Sequence, residues 1–146
     1  MELILYYTLT GTTKRIAEKR AGETGAKALQ VQEQKKRSMF GAFLPGCFQA
    51  MRGKAVPIRP LSVDWDAVDT VVLAAPIWAG HPAPAINTAA NQVPAGKRVR
   101  LILVSGGGES NSEPLEAMLK ANGCEVVGVE KITPEPQGHG GDQRQP

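Results

Sequence analysis

The sequence predicts an α/β fold built on a doubly wound parallel sheet of five strands. Short apolar runs alternate along the chain with segments whose apolar residues recur at helical spacing, which is the pattern of repeated strand–helix units. Three of the runs, residues 3–6, 70–75 and 99–104, lead directly into loops of distinctive composition. Because the carboxyl ends of parallel strands share one edge of the sheet, these loops are expected to lie together there.

Length and composition indicate one domain. A chain of 146 residues can bury a sizeable core. We place the domain at residues 1–132 and a flexible tail rich in proline and glycine at residues 133–146. Cys47 and Cys124 are isolated, so each is expected to be a small buried apolar residue. No signal peptide or membrane span is recognised, and a cytoplasmic protein is expected.

The net charge of +3 is unevenly distributed. Residues 1–60 hold eleven Lys or Arg against four Asp or Glu, whereas residues 61–146 hold six against ten. With no nucleic-acid motif present, solvated surface is the favoured interpretation, and no nucleic-acid partner is predicted. Attraction to an acidic redox partner or a phosphorylated nucleotide is the alternative.

The first half of the chain begins with a strand over residues 2–7, apolar enough to be buried on both faces. A helix over residues 12–24 follows, ended by Gly25. The second strand, residues 26–32, is more polar, which suits an edge position. The inward face of the helix is predicted to use residues at three- and four-residue spacing: Thr13, Ile16, Ala17, Ala21 and Thr24.

Residues 33–60 have a less regular pattern. A charged patch is followed by an apolar stretch that contains Phe40, Phe43 and Phe48, and a helix is predicted over residues 46–53. The aromatic side chains are expected to pack this crossover onto the sheet. A wall of a ligand pocket or a contact between subunits is the alternative.

The second half supplies the remaining elements. Strands are predicted over residues 70–75, 97–104 and 124–132. Helices are predicted over residues 84–93 and from the start Ser112-Glu113-Pro114 to the Asn122-Gly123 stop. Asp64, Asp66 and Asp69 precede the third strand, which puts them at the amino edge as solvated turn residues.

The stretch from Tyr7 to Thr13 has the composition of an anion-binding loop. It joins the first strand to the first helix, whose leading N–H groups are unpaired and carry the positive end of the helix dipole. Four threonines add hydroxyl donors, and Gly11 permits a positive φ or a close approach of the backbone. A simple helix cap is the structural alternative.

The motif Thr8-x-Thr10-Gly11-x-Thr13 resembles the phosphate-binding motif of the flavodoxins, T-x-T-G-x-T. Pro76-Ile77-Trp78-Ala79-Gly80 is similar to the loop that those proteins lay against the flavin ring. Ser105 to Gly108 lies where their third flavin loop would fall. The match in order and placement runs from about residue 2 to residue 132. The resemblance implies FMN as cofactor and a sheet order of 2-1-3-4-5.

The resemblance also implies the site. Trp78 would stack on the ring, and backbone groups of the second and third loops would approach its edges. It further implies one-electron chemistry in which a peptide beside the ring turns, with Ala79-Gly80 as the candidate. No catalytic or metal-ligating residue is predicted. The residues predicted to contact FMN are Thr8, Leu9, Thr10, Gly11, Thr12, Thr13, Pro76, Ile77, Trp78, Ala79, Gly80, His81, Ser105, Gly106, Gly107 and Gly108.

The chain departs from the flavodoxin pattern in three respects. Residues 133–142 cannot form the terminal helix of that family, because proline and glycine forbid it. A sheet face left open in this way favours a homodimer or docking of the tail. Residues 105–112 lack the second aromatic residue that many flavodoxins stack on the flavin, and the chain is basic rather than acidic.

Three functions fit these observations. The first is an electron carrier that passes electrons from a reductase to an acceptor protein. The second is an NAD(P)H-dependent FMN oxidoreductase that reduces quinones or similar acceptors at the open face of the ring. A flavodoxin-like binding module with no redox role is a third hypothesis. His81 and Glu109 lie near the predicted ring, and each is as readily explained by a structural or solvated role.

Overall fold

The computed structural model describes residues 1–35 and 56–134. A short 3₁₀ helix, Trp65–Ala67, precedes the third strand. The described residues form the strands β1 (Glu2–Tyr6), β2 (Lys27–Gln30), β3 (Thr70–Trp78), β4 (His81–Pro82), β5 (Arg98–Val104) and β6 (Glu125–Ile132), and the helices α1 (Thr12–Thr24), α2 (Pro84–Ala90) and α3 (Glu113–Ala121).

The sheet has the order β2-β1-β3-β5-β6, and every neighbouring pair along this path is parallel. Strand β4 stands outside the path as a short antiparallel partner of β3. With β5 and β6 as the fourth and fifth main strands, the predicted fold class and the order 2-1-3-4-5 are confirmed. Because β1, β3 and β5 are adjacent, the three loops that follow them emerge side by side.

Helices cover the two faces of this sheet. Helix α1 packs on one face through Ala17, against Ile4 and Val72 of the central strands. Helices α2 and α3 pack on the opposite face, where Ile86 and Leu119 join a larger cluster of buried residues. The central strands contribute side chains to both clusters, as their unbroken apolar sequence predicts. The sheet therefore forms the middle layer of three.

Helix α1 has the predicted bounds. Gly25 takes a left-handed conformation with φ of 77°, and its N–H donates to the carbonyl of Ala21. The predicted inward face is correct for Thr13 and Ala17, which are buried. It is wrong for Thr24, which is exposed and uses its hydroxyl to bond the carbonyl of Arg20.

The β2 edge of the sheet is extended by a second segment of chain. Glu33 and Ile58 form an antiparallel bridge. On either side of it, the N–H of Gln34 donates to the carbonyl of Pro57, and the N–H of Arg59 donates to the carbonyl of Gln32. This pairing lies beyond the end of β2 and ties residues 32–34 to residues 57–59.

The sheet face that carries α1 is not an open apolar surface in the structure. Val72, Ile102 and Val104 are all buried. Arg20 of α1 reaches Glu130 of β6 at 3.2 Å and lies 4.0 Å from Glu2 of β1. The large apolar side chains that stand exposed among the described residues are Met1, Val127 and Val129. Val127 and Val129 lie on β6 at one edge of the sheet, and the predicted homodimer or docking of the tail stays a prediction.

Some predictions concern residues outside the described ranges. The helix over residues 46–53, the packing of Phe40, Phe43 and Phe48, and the burial of Cys47 lie there, as does most of the predicted tail. Cys124 lies within the described residues and is buried and free, as predicted. Among the described helices, none has the length and apolar character needed to cross a membrane.

Candidate functional site

Three loops meet at the carboxyl edge of β1, β3 and β5. The first runs from Tyr7 to Gly11 and ends at the start of α1. The second is the turn between β3 and β4. The third runs from Ser105 to Ser112 and ends at the start of α3. This is the edge at which open α/β sheets bind their ligands, so the three loops define the candidate site.

The threonine loop is shaped by a contact between its ends. The N–H of Gly11 donates to the hydroxyl of Thr8 at 2.9 Å, and Gly11 itself has a φ of 99°. The hydroxyl oxygens of Thr10 and Thr12 lie 3.5 Å apart on the accessible side of the loop. Within the described residues no side chain caps α1. The first-turn amides of α1 therefore lie beside the hydroxyls of Thr10 and Thr12, so that both kinds of donor can serve one anion.

Thr13 has a different environment from the other threonines. Only 2% of its surface is exposed, so its side chain faces the protein rather than the loop cavity. The structure thus separates the four threonines. Thr8 shapes the loop, Thr10 and Thr12 present hydroxyls, and Thr13 is buried in the first turn of α1.

The second loop is a hairpin rather than an irregular segment. Strand β3 continues through Pro76 to Trp78, where Trp78 pairs with His81 of β4. The two residues of the turn, Ala79 and Gly80, have φ values of 51° and 83°. Positive φ at both central residues defines a type I′ turn, the form whose twist matches a two-residue hairpin. The predicted strand end at residue 75 is therefore wrong by three residues.

Trp78 is held at the site by a buried tyrosine. The rings of Tyr7 and Trp78 meet edge to face, with centroids 5.7 Å apart. Tyr7 is only 5% exposed, and its hydroxyl donates to the buried carboxylate of Glu33 at 2.5 Å. The prediction omitted Tyr7 from the site. Its position directly between an apolar strand and the threonine loop is the sequence signal that could have included it.

The glycine loop is organised by Ser105. Its hydroxyl donates to the carbonyl of Gly107 at 2.9 Å, and the N–H of Gly107 donates to the same hydroxyl oxygen at 3.1 Å. Gly107 and Gly108 have positive φ values, 133° and 81°. Ser105 is buried while Gly106, Gly107 and Gly108 are exposed. The serine therefore shapes the loop from beneath, and the glycine backbone forms its accessible surface.

The space in front of these glycines is open. A methyl group built on Gly11, Gly106, Gly107 or Gly108 would meet no atom of the described residues within 4 Å. A ligand can therefore approach the backbone at both ends of the edge. Among the described residues there is also no group of three or more His, Cys, Asp or Glu side chains that could hold a metal ion.

Asn111 joins the second loop to the third. Its N–H donates to the carbonyl of Gly80 at 2.6 Å, while its side-chain oxygen accepts the N–H of Glu113 at the start of α3. His81 is half-buried within β4, and Glu109 is exposed. Sequence reasoning placed Asn111 in the loop but assigned it no role, because a contact between two loops distant in sequence leaves no local pattern.

A separate cleft opens on the other side of the threonine loop, at the carboxyl ends of β1 and β2. Thr8 and Leu9 line it on the loop side, and Gln30, Glu33 and Arg59 line it on the edge-strand side. Leu9, one of the residues predicted to contact a cofactor, therefore borders this cleft as well as the threonine loop.

No protein-family model matches the chain, and no curated relative matches it. Solved structures, in contrast, do match the chain. A flavoprotein from Lactobacillus acidophilus, determined in complex with FMN, is 23% identical, with a TM-score of 0.74 over 89% of this chain and 91% of that one. The apo form of the flavoprotein from the same organism, determined by NMR, is 26% identical, with a TM-score of 0.69 over 89% and 90%.

A third structure extends the comparison to the flavodoxins themselves. Oxidised flavodoxin 1 from Bacillus cereus is 17% identical, with a TM-score of 0.53 over 92% of this chain and 86% of that one. The fold is flavodoxin-like. In this flavodoxin-like chain the threonine loop, the hairpin and the glycine loop follow neighbouring strands in the order that the sequence motifs predicted. The structure thereby brings the predicted site residues to one edge, with Thr13 and Ser105 on the inner side of their loops.

Proposed function

We propose that the protein binds FMN at the edge formed by the three loops and carries electrons between a reductase and an acceptor protein. The observation that carries this proposal is the threonine loop at the uncapped start of α1, set two strands from the glycine loop with Trp78 between them. The flavodoxin-like fold supports it, as does the Lactobacillus acidophilus flavoprotein determined with FMN.

The threonine loop suits the phosphate of FMN. A phosphate dianion accepts several hydrogen bonds at once, and the hydroxyls of Thr10 and Thr12 lie beside the first-turn amides of α1. The dipole of a 13-residue helix favours negative charge at this end. Lys14 and Arg15 are exposed in the same turn and add a positive field without being needed as ligands.

The hairpin and the glycine loop suit the flavin ring. Trp78 offers an aromatic surface whose orientation is set by Tyr7. The exposed backbone of residues 106–108 offers N–H and carbonyl groups with open space in front of them. Bound FMN supplies one- and two-electron redox chemistry. The chain's own groups bind the phosphate, hold the ring and set how far water reaches it.

A second candidate function is direct reduction of a small acceptor with NAD(P)H as the electron donor. The observation that favours it is the absence of any aromatic residue from residues 105–112, which leaves the ring face opposite Trp78 without a stacking partner from that loop. The excess of Lys and Arg in residues 1–60 would attract a phosphorylated dinucleotide.

The cofactor proposal is tested by titrating the apoprotein with FMN and following the quenching of flavin fluorescence. The double variant Thr10→Val/Thr12→Val should bind FMN at least tenfold more weakly, since each lost hydrogen bond to a charged group is worth about 1.5–3 kcal/mol. Thr24→Val, at the other end of α1, is the matched control and should keep the wild-type affinity. An apoprotein that leaves flavin fluorescence unchanged at high FMN concentration would contradict the proposal.

The two functions are separated by mixing the FMN-loaded protein with NADPH in the absence of oxygen. A carrier should stay oxidised until a flavodoxin reductase is added. Direct loss of the oxidised flavin absorbance with NADPH alone, at a rate that rises with NADPH concentration, would contradict the carrier function and support the reductase function.

A further inference from the structure

The turn between β3 and β4 carries a non-glycine residue in a glycine-like conformation. Ala79 has a φ of 51° and is the first central residue of the type I′ turn, with Gly80 as the second. A left-handed alanine is strained relative to its ordinary conformations, because its Cβ lies too close to the following carbonyl oxygen. Such a conformation persists where the surroundings determine it, and such residues concentrate at ligand-binding positions.

The residues that hold the turn in this conformation belong to the third loop. The N–H of Asn111 donates to the carbonyl of Gly80 at 2.6 Å, so the peptide that follows the turn is fixed from outside the hairpin. A Cβ on Gly80 would lie 3.6 Å from the carbonyl oxygen of Glu109, which shows that residues 109–111 pack directly against the turn. Asn111 is itself tied to α3 through its side-chain oxygen.

Trp78 pairs with His81, and a two-residue hairpin takes a type I′ or II′ turn because types I and II splay its strands. The two allowed turns differ by rotation of the central peptide, between Ala79 and Gly80. Its rotation would convert a type I′ turn into a type II′ turn, with the first central residue at about φ +60° and ψ −120°. That conformation is available essentially to glycine alone. The glycine of this turn occupies the second position, whereas the rotated form requires glycine at the first. Ala79 therefore opposes the rotation that the resemblance to the flavodoxins implied for the Ala79–Gly80 peptide.

We propose that Ala79 and the Asn111–Gly80 hydrogen bond lock this hairpin in one conformation, so that the wall of the cofactor site is preformed and does not rearrange when the protein is reduced. Asn111 is then a positioning residue that acts through the Gly80 carbonyl. The part of this inference that concerns the cofactor rests on the proposed function. The inference that the turn has a single conformation is independent of that function.

Two variants at position 79 test whether the alanine prevents rotation of the peptide, independently of the strain of its left-handed conformation. Asparagine and glycine both tolerate the left-handed conformation, but glycine alone also admits the type II′ turn. In NMR spectra of the full-length apoprotein, wild type and Ala79→Asn should each show one set of amide signals for residues 78–81. Ala79→Gly should show a second set or exchange broadening. Two conformers in the wild type, or one in Ala79→Gly, would overturn the lock.

A pair of variants at position 111 tests the hydrogen bond itself. Asn111→Pro removes the N–H donor, whereas Asn111→Ala keeps it and removes only the side-chain contact with α3. Asn111→Pro should bind FMN about tenfold more weakly than Asn111→Ala, which corresponds to the loss of one hydrogen bond. Thermal unfolding of both variants reports whether the Pro variant still folds. If it does not, hydrogen exchange in wild type decides, because a clamped Asn111 amide should exchange at least tenfold more slowly than an exposed loop amide.

The oxidised and reduced forms complete the test. The amide shifts of Gly80 and His81 in the FMN-loaded wild type should reverse fully on reoxidation, and the NOE pattern of the I′ turn should be the same in both states. A change of that pattern to the II′ form on reduction would overturn the inference while leaving FMN binding intact. Failure of the apoprotein to bind FMN would instead refute the proposed function, and the apoprotein spectra would still decide whether the turn is locked.

Discussion

The ring of Tyr7 meets the ring of Trp78 edge to face, with centroids 5.7 Å apart and planes inclined at 80°. Tyr7 is fixed in turn by the carboxylate of Glu33, which accepts its hydroxyl proton. A buried pair at the edge of β1 and β2 thus determines how an aromatic surface is presented at the end of β3.

Removing the Tyr7 hydroxyl should destabilise the fold while keeping the aromatic contact. In Tyr7→Phe a buried carboxylate oxygen loses this donor, and the free energy of unfolding should fall by about 1–3 kcal/mol. The double variant Tyr7→Phe/Glu33→Leu removes both polar partners and should recover part of that loss. Urea denaturation measures both. Equal stability of Tyr7→Phe and wild type would show that the hydrogen bond contributes nothing.

Losing the Trp78 ring should affect the site more than the fold. Trp78 is half-buried, so Trp78→Ala should weaken FMN binding and also forfeit the edge-to-face contact, worth about 0.5–1.5 kcal/mol. The FMN affinity of Trp78→Phe should lie between those of wild type and Trp78→Ala. Flavin fluorescence titration checks the order. An unchanged FMN affinity in Trp78→Ala would remove Trp78 from the site.

Two glycines of one helix region should respond in opposite directions to alanine. Gly11 has a φ of 99°, whereas Gly22 lies inside α1 without a positive φ, and a methyl group added to either would meet no atom of the described residues within 4 Å. Gly11→Ala should lower the free energy of unfolding by about 1–2 kcal/mol through backbone strain. Gly22→Ala should raise it by about 0.5–1 kcal/mol. Thermal or urea unfolding of the two variants measures this contrast, and a like sign for both would contradict the left-handed conformation at Gly11.

A second pair of glycines differs in how readily the surrounding atoms can make room for a methyl group. A methyl group on Gly123 would lie 2.8 Å from the Cβ of Ala95 at a φ of 87°, so Gly123→Ala should be clearly destabilising. On Gly128 it would lie 2.6 Å from Nη1 of Arg100, the movable end of a long side chain. Gly128→Ala should therefore cost less than Gly123→Ala in the same unfolding assay, and the reverse order would show that Arg100 is held rigidly.

The Cys124 thiol should make stability depend on pH on the alkaline side. Burial raises the pKa of Cys124 above its ordinary value, while a backbone hydrogen bond partly opposes the shift. The unfolded chain therefore loses this proton first, and the contribution of Cys124 is present below the unfolded pKa and falls as pH rises through the folded one. Unfolding free energies of wild type and Cys124→Ala, compared from neutral to alkaline pH, should differ by an amount that shrinks as pH rises. A pH-independent difference would contradict the shift.

Local pattern was enough to predict most of the fold. The order of the main strands was implied by the resemblance to the flavodoxins. The bounds of α1 follow from helical spacing and the glycine stop at Gly25, and the edge position of β2 follows from its polar sequence. These signals lie within a few residues of one another, so a sequence displays them directly. The three loops were placed at one edge for the same reason, since the direction of parallel strands decides where their ends meet.

Only the tertiary structure decided how the loops are held. The type I′ turn at Ala79, the Tyr7–Glu33 pair and the Asn111–Gly80 hydrogen bond join residues far apart along the chain, and no periodicity records such contacts. The same holds for the ion pairs of Arg20, which cross the face that the sequence suggested was open and apolar. The sequence by itself determined which chemical groups stand at the edge of the sheet. Packing between distant segments determined their orientation, because side-chain geometry depends on all neighbours at once and not on the order of residues alone.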